Sequence, residues 1–350
     1  MNGDRSSNDD TPQPGLKLTP VRMLLIVLCV VAVGIIIALT QRDELGREWR
    51  YQENAGLAGD EISTEADAMP TGLQAARSMA VGSDGIVYIA GDSKVRRFDA
   101  AGGVAGDFPT DGTAECLALA DDGTIYAGIG GRVLIYSADG VQKAAWSDFG
   151  ERAIVTSIAL AGEKVIVADA GNRIVLVCTR EGEVVGRIGA RDDERNIPGL
   201  VVPSAHMDVA MGADGLLRVA NPGRHCVEIY TLDGHLEFSW GSSGCGIENF
   251  TGCCNPADIA VTPDGSVVTS EKGIYRVKLY EGIEGRLIGV VAGPQSFADV
   301  AARDFGPAGY PGLDIAIDPH GRVLVLDPAR CEVRIFVSKA ESNEEAQLDD

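Results

Sequence analysis

Residues 258–273 read DIAVTPDGSVVTSEKG. A short apolar run, a Pro-Asp-Gly turn and a second apolar run make a β-hairpin signal, because Gly accepts a positive φ without Cβ strain. Residues 314–327, DIAIDPHGRVLVLD, repeat the pattern, and related segments begin at Ser78, Cys116, Ser157 and Asp208. The register residues Ala80, Ala118, Ala159, Ala210, Ala260 and Ala316 are 38, 41, 51, 50 and 56 positions apart, a period the size of a propeller blade.

Each repeat keeps one order. The first hairpin is followed by a polar, Gly-rich hairpin, an alternating third strand such as Val227-Glu228-Ile229-Tyr230, a second Asp-Gly or Glu-Gly turn, and a fourth strand. Four antiparallel strands repeated six times predict an all-β, six-bladed β-propeller. The sixth repeat stops after its third strand at Ile335-Phe336-Val337, so the N-terminal part of the chain is expected to close the ring, through Glu48-Trp49-Arg50-Tyr51.

One segment lies outside this pattern. Met23–Gln41 holds 19 uncharged residues between Arg22 and Arg42. As a helix it would extend about 28 Å, the thickness of a hydrocarbon core. A cleaved signal peptide is the alternative, with Ala38-Leu39-Thr40 as a loose cleavage site, but the polar leader is long for one. The expected organisation is therefore a leader over 1–22, a transmembrane signal anchor over 23–41, a linker containing the closing strand over 42–75, the propeller over 76–339 and an acidic tail over 340–350. Basic residues balance across the span, so charge barely orients it; a short leader before a large body favours the propeller on the extracytoplasmic side.

The chain has 350 residues, 44 of them Gly, and a net charge of −21. Three acidic and three basic residues cancel within 1–40, so the whole charge falls on the body, which repels phosphate backbones and excludes nucleic acid as an expected partner. The membrane and a protein or small-molecule ligand are the expected partners of a monomeric propeller.

Val167-Ala168-Asp169-Ala170-Gly171-Asn172-Arg173-Ile174, with DIAVTPDG and DIAIDPHG, resembles the hairpins of NHL repeats. The likeness covers about residues 70–339, and the run from Trp240 to Tyr280 is similar to a subgroup of exported bacterial NHL-like propellers. That resemblance implies the fold; similar propellers include protein- and RNA-binding modules, lyases and metal-dependent lactonases, so it selects no activity.

The connections lengthen after the third repeat, at Ala190–Ala205, Gly241–Pro256 and Gly293–Gly312, and all are expected on the face opposite the first Asp-Gly turns. Long loops in a compact repeat are functional or flexible. Three groups of residues fall there. Asp92, Asp169, Asn221, Glu271 and Asp327 end the second strands; Asp169, Asn221, Glu271 and Asp327 could hold Ca²⁺ or another divalent cation, or each could cap its own hairpin. Cys245, Cys253 and Cys254 allow a disulfide from Cys245 to either neighbour, a strained bridge between the adjacent pair, free thiols, or, with His206, a zinc set whose spacing is poor. Arg224, His225, Lys272, Arg276 and Arg330 could bind an anion or pair with Glu271 and Asp327. His206, Asn221, Arg224, Asn255, Glu271, Lys272, Asp327 and Arg330 are thus the candidate ligand-binding residues. No phosphate loop, G-x-S-x-G or H-E-x-x-H occurs. The expected function is a binding or scaffolding module with no resident cofactor; the alternative is a metal-dependent hydrolase or lyase of the gluconolactonase-like propeller type. Tolerance of Glu271→Ala would mark the binding module, and loss of a bound ion the enzyme.

Overall fold

The computed structural model describes residues 61–297 and 312–340. Six four-stranded antiparallel sheets follow one another around a channel, each running from an innermost to an outermost strand. Blades 1–5 are continuous in sequence. The innermost strands of blades 1 and 5 are Ala76–Val81 and Asp258–Val261, and their outermost strands are Val104–Pro109 and Leu287–Ala292.

Blade 6 takes three strands from the C-terminal part of the chain, Asp314–Ile317, Val323–Asp327 and Glu332–Ser338. Its outermost strand is Ser63–Pro70, which pairs antiparallel with Glu332–Ser338 from Ser63 opposite Ser338 to Pro70 opposite Glu332. Closure by an N-terminal strand is as expected, but the strand is not Glu48–Tyr51, which lies outside the described residues. Ser63–Pro70 reads STEADAMP and buries only Ser63 and Met69, so its outer edge carries almost no apolar signal. The backbone ahead of it runs along blade 5, with the Ile62 N–H donating to the Val290 carbonyl at 2.8 Å. A Cβ on Gly289 would meet Ile62 at 2.5 Å, so the strap fits only over a bare glycine.

The expected anchor, Met23–Gln41, and most of the acidic tail also lie outside the described residues. Among the described residues no helix is long and apolar enough to cross a membrane.

The core divides into six apolar clusters, one between each pair of neighbouring blades. A sheet buried on both faces needs apolar side chains pointing both ways. Second strands therefore read almost without alternation: Val323–Asp327 (VLVLD) and Leu217–Asn221 (LRVAN) are buried at every residue. Aromatic residues from one blade's outer strand or the segment just after it, Phe108, Trp146 and Trp240, pack on glycines in the next blade's outer turn. There a Cβ on Gly140, Gly182 or Gly285 would come within 2.3, 2.4 or 2.2 Å of the ring. The second Asp-Gly or Glu-Gly of the repeat is thus a packing requirement as well as a turn.

Candidate functional site

The innermost strands begin where the connections between blades arrive, and residues at or beside their starts form a ring: Ser78, Cys116, Ser157, Asp208, Asp258 and Asp314. Four of these lace successive blades together. Ser157 Oγ accepts the Val209 N–H at 3.2 Å, Asp208 the Ile259 N–H at 2.7 Å, Asp258 the Ile315 N–H at 3.1 Å, and Asp314 the Met79 N–H across the closure. An acceptor at this position satisfies a backbone donor that the neighbouring strand cannot. That explains the Asp heading DIAV and DIAI.

Above this ring opens a cavity of about 440 Å³, lined by Arg77, Glu115, Thr156, His206 and the three aspartates, with Ala257, Gly312 and Leu313 closing its wall. Ala205 and Gly312 end long connections, and His206, Ala257 and Leu313 each directly follow one, so the longest loops end at this mouth. The first Asp-Gly turns surround the opposite mouth, where Ser83, Ala213, Pro263 and Pro319 line a separate depression. Arg77 and Glu115 are exposed to the cavity and make no side-chain hydrogen bond or ion pair among the described residues.

Crowding in the narrow channel mouth, which desolvates these side chains although they stay partly exposed, governs titration here. It pushes the Asp208 carboxyl up to about 6 and Asp314 up to about 7, the latter also through the charge of Asp208. Asp258 stands well above the usual carboxylate range for the same reason, compounded by Asp208 and Asp314, and it shares a hydrogen bond with Asp314. Like charges this close cannot all ionise cheaply. Burial, with Lys272 nearby, pulls His206 down to about 4, so its imidazole is neutral.

The folded state therefore keeps protons on these carboxyls at pH values where the unfolded chain, with an ordinary Asp near 3.8, has lost them. That contribution is complete at low pH and is lost as pH rises from about 4 through about 7. Asp314→Asn keeps an acceptor for Met79 without titrating. Chemical denaturation should show it gaining stability relative to the unsubstituted protein over that window and levelling off above it. Asp314→Ala, which strands the Met79 N–H, should lose about 1–3 kcal/mol at low pH, and the deficit should shrink over the same window because it too removes the titrating carboxyl. A parallel pH course for Asp314→Asn and the unsubstituted protein would contradict the account.

The residues singled out in the sequence divide between wall and scaffold. His206 lines the cavity. Asp92, Asp169, Asn221 and Glu271 each receive a backbone N–H from the incoming connection: Gln74 and Ala75, Ile154, Val201 and Thr251, at 2.7–3.0 Å. Asp327 accepts the Ala329 and Arg330 N–H groups in its own hairpin. This ring pins connections to blades. Among the described residues no three His, Cys, Asp or Glu side chains are grouped as a metal ion requires.

Asn221 also donates to Glu228 at 3.0 Å, and the fully buried Glu228 accepts the Tyr230 hydroxyl at 2.6 Å. Burial holds the Glu228 carboxyl above its ordinary range. Arg224 stands 3.9 Å from Glu228 and Arg330 4.0 Å from Asp327, so the hairpin cations pair within the fold.

Glu271, Arg276 and Lys278 form an ion cluster with no solvent exposure. Arg276 Nε and Lys278 Nζ both lie 2.7 Å from Glu271 Oε1. The two cations also donate to the Asn249 carbonyl, at 3.0 and 2.9 Å, and Lys278 sits 4.7 Å over the Phe250 ring. Burial pulls Lys278 down to about 8, although Glu271 opposes it. The cluster fastens the connection Gly241–Pro256, so Glu271→Ala tests folding and cannot separate an enzyme from a binding module.

Asn255 clamps the end of the same connection, accepting the Lys272 N–H and donating to the Lys272 carbonyl, both at 2.9 Å. Lys272 Nζ donates to Ser204 Oγ at 3.0 Å. The expected Cys245 disulfide is not formed. All seven described cysteines are thiols, and the close pair is Cys253 and Cys254, with sulfurs 3.3 Å apart. Spacing in sequence favoured a ten-residue staple, but the turns of the loop bring the neighbours' sulfurs together instead.

Arg77, Glu115, Asp208, Asp258 and Asp314 belong to no site motif in the sequence, although Asp208, Asp258 and Asp314 head their repeats. The register position before the apolar run was the available signal, since it places side chains on the channel.

No protein-family model and no curated protein sequence matches the chain. Solved structures do. A streptogramin B lyase is 12% identical with a TM-score of 0.54, covering 78% of this chain and 97% of that one. Virginiamycin B lyase from Staphylococcus aureus is 11% identical with a TM-score of 0.51, covering 77% and 98%. A protein of unknown function from Bacteroides thetaiotaomicron is 14% identical with a TM-score of 0.56, covering 80% and 73%. At such identities the similarity is one of fold. The chain is a six-bladed β-propeller, as the NHL-like repeats implied.

Proposed function

We infer that this protein is a membrane-tethered, extracytoplasmic binding module that takes a small polar ligand, or the tip of a partner's loop, into the cavity at the long-connection mouth. Met23–Gln41 is the tether. The observation that carries the reading is the convergence of Arg77 and Glu115, unengaged among the described residues, with neutral His206 and three aspartates whose carboxyls titrate high, where the longest loops end. Concave sites with a few convergent polar groups are where ligands bind.

The chemistry of the wall specifies the ligand in outline. Arg77 suits a carboxylate or carbonyl oxygen, while the carboxyls accept from N–H or O–H donors and, once ionised, attract a cation. A zwitterion or an amide-rich peptide end meets both demands. The hydrolase or lyase alternative would place a cation within the second-strand ring, where Asp169, Asn221, Glu271 and Asp327 each already accept a backbone N–H and Glu271 also holds Arg276 and Lys278, so the binding reading is favoured.

Full-length protein in membranes, titrated with a panel of amino acids and short peptides, tests this. Binding should be detectable in the membrane fraction and weaken about tenfold or more with Arg77→Ala, the loss expected when one charge-assisted hydrogen bond goes. Binding indifferent to Arg77→Ala, or full-length chain that stays out of the membrane fraction, would refute the respective half of the reading.

A further inference from the structure

We propose that Cys253 and Cys254 form a thiol–disulfide exchange site that closes to a disulfide between adjacent residues when it meets a small-molecule disulfide. Three observations carry it. The sulfurs already lie 3.3 Å apart and share a hydrogen bond, so bond formation needs little movement. Cys253 is exposed, whereas Cys254 is only 4% exposed, which separates an attackable sulfur from a protected resolving one. The Asn255–Lys272 clamp immobilises the chain next to Cys254, and the Lys272 charge pulls on the Cys253 thiol.

The Cys253 thiolate attacks one sulfur of the disulfide R–S–S–R, forming a mixed disulfide and expelling RS⁻, which takes up a proton. Cys254 loses its proton, attacks the Cys253 sulfur and expels the second RS⁻. The protein is oxidised by two electrons, and the disulfide is reduced to two RSH. Only thiolate attacks. The Cys253 thiol is held above its ordinary range by its hydrogen bond to Cys254, with Lys272 pulling the other way, so exchange accelerates with rising pH.

Adjacent Cα atoms are about 3.8 Å apart, below the roughly 4.4–6.8 Å that relaxed disulfides span. The closed form is therefore easily reduced, as suits an exchange site and not a staple. Lys272 links the pair to the cavity, because it also hydrogen-bonds Ser204 and acts on His206.

The test uses full-length protein, reduced, exposed to oxidised glutathione, then alkylated and digested for mass spectrometry. The peptide carrying Cys253 and Cys254 should lose two hydrogens and escape alkylation, while Cys245 is alkylated, and reduced glutathione should reverse the change. Cys254→Ser should stop at a glutathione adduct on Cys253, and Cys245→Ser should leave closure intact. A bond from Cys245 to either neighbour, closure abolished by Cys245→Ser, or a stable adduct on Cys253 in the unsubstituted protein would overturn the proposal. Circular dichroism of each variant separates failed folding from failed chemistry.

Discussion

Glu271→Ala should lower stability by about 3–5 kcal/mol, the cost of leaving a buried charge without its partner. Thermal melting should fall by on the order of 10 °C. The carboxylate holds Arg276, Lys278 and the Thr251 N–H at once, and both cations have no contact with solvent. After its removal Lys278 can shed a proton, being already pulled down to about 8, whereas Arg276 cannot. The sign is fixed by the Lys278 pKa being lower in the folded state than in the unfolded chain. Stability from that group rises between the folded and unfolded values, and loss of Glu271 moves the start of the window lower. The variant should therefore recover part of the loss on going from pH 7 to pH 9. Lys278→Met added to Glu271→Ala should restore more, since an apolar side chain removes one stranded charge. Equal stability of Glu271→Ala and the unsubstituted protein by denaturant titration would show that the cluster does not hold the Gly241–Pro256 connection.

Removing residues 1–70 should have the larger consequence. The outermost strand of blade 6 is Ser63–Pro70, and without it Glu332–Ser338 becomes an open edge. Arg334, nearly buried, loses its paired contact with Glu65 while remaining stacked on Phe297 and Phe336. Met69 leaves the cluster that joins blade 6 to blade 1. The ring then has no strand crossing its seam, and the truncated chain should melt without a cooperative transition or aggregate. Glu65→Ala alone, at a partly exposed carboxylate, should cost only about 1 kcal/mol. A synthetic peptide of residues 61–70 added to the truncated chain should restore a cooperative melt, because the missing part is a separable strand. A truncated chain that melts as the intact one does would mean that the ring closes without the strand.

Both predictions concern residues whose importance is unevenly visible in the sequence. Blade number and order were legible because each repeat carries the same hairpin signals, and those depend on local backbone geometry: Gly at a positive φ, apolar runs of strand length, Asp before Gly. The face carrying the long connections was legible too, since strand alternation fixes which end of a blade each loop leaves. The closing strand was not. STEADAMP pairs on one edge only and buries two side chains, so nothing in its pattern distinguishes it from linker.

The site shows the same division. Asp169, Asn221, Glu271 and Asp327 were found as a set because they share a register position, but register does not say what an oxygen binds. The incoming backbone N–H groups decided that, and they come from segments 15–20 residues away in sequence for the first three. Asp208, Asp258 and Asp314 stand at the head of their repeats, yet their mutual repulsion arises only where the ring brings them together. Cys253 and Cys254 were adjacent from the start, and the loop conformation turned their sulfurs toward each other. By itself the sequence determined the unit and how often it recurs, because short-range chain geometry is written into neighbouring residues. Only the tertiary structure decided which strand closes the ring, which carboxyls face the channel and which thiols meet, because those contacts join parts of the chain that carry no local record of one another or depend on how a loop is folded.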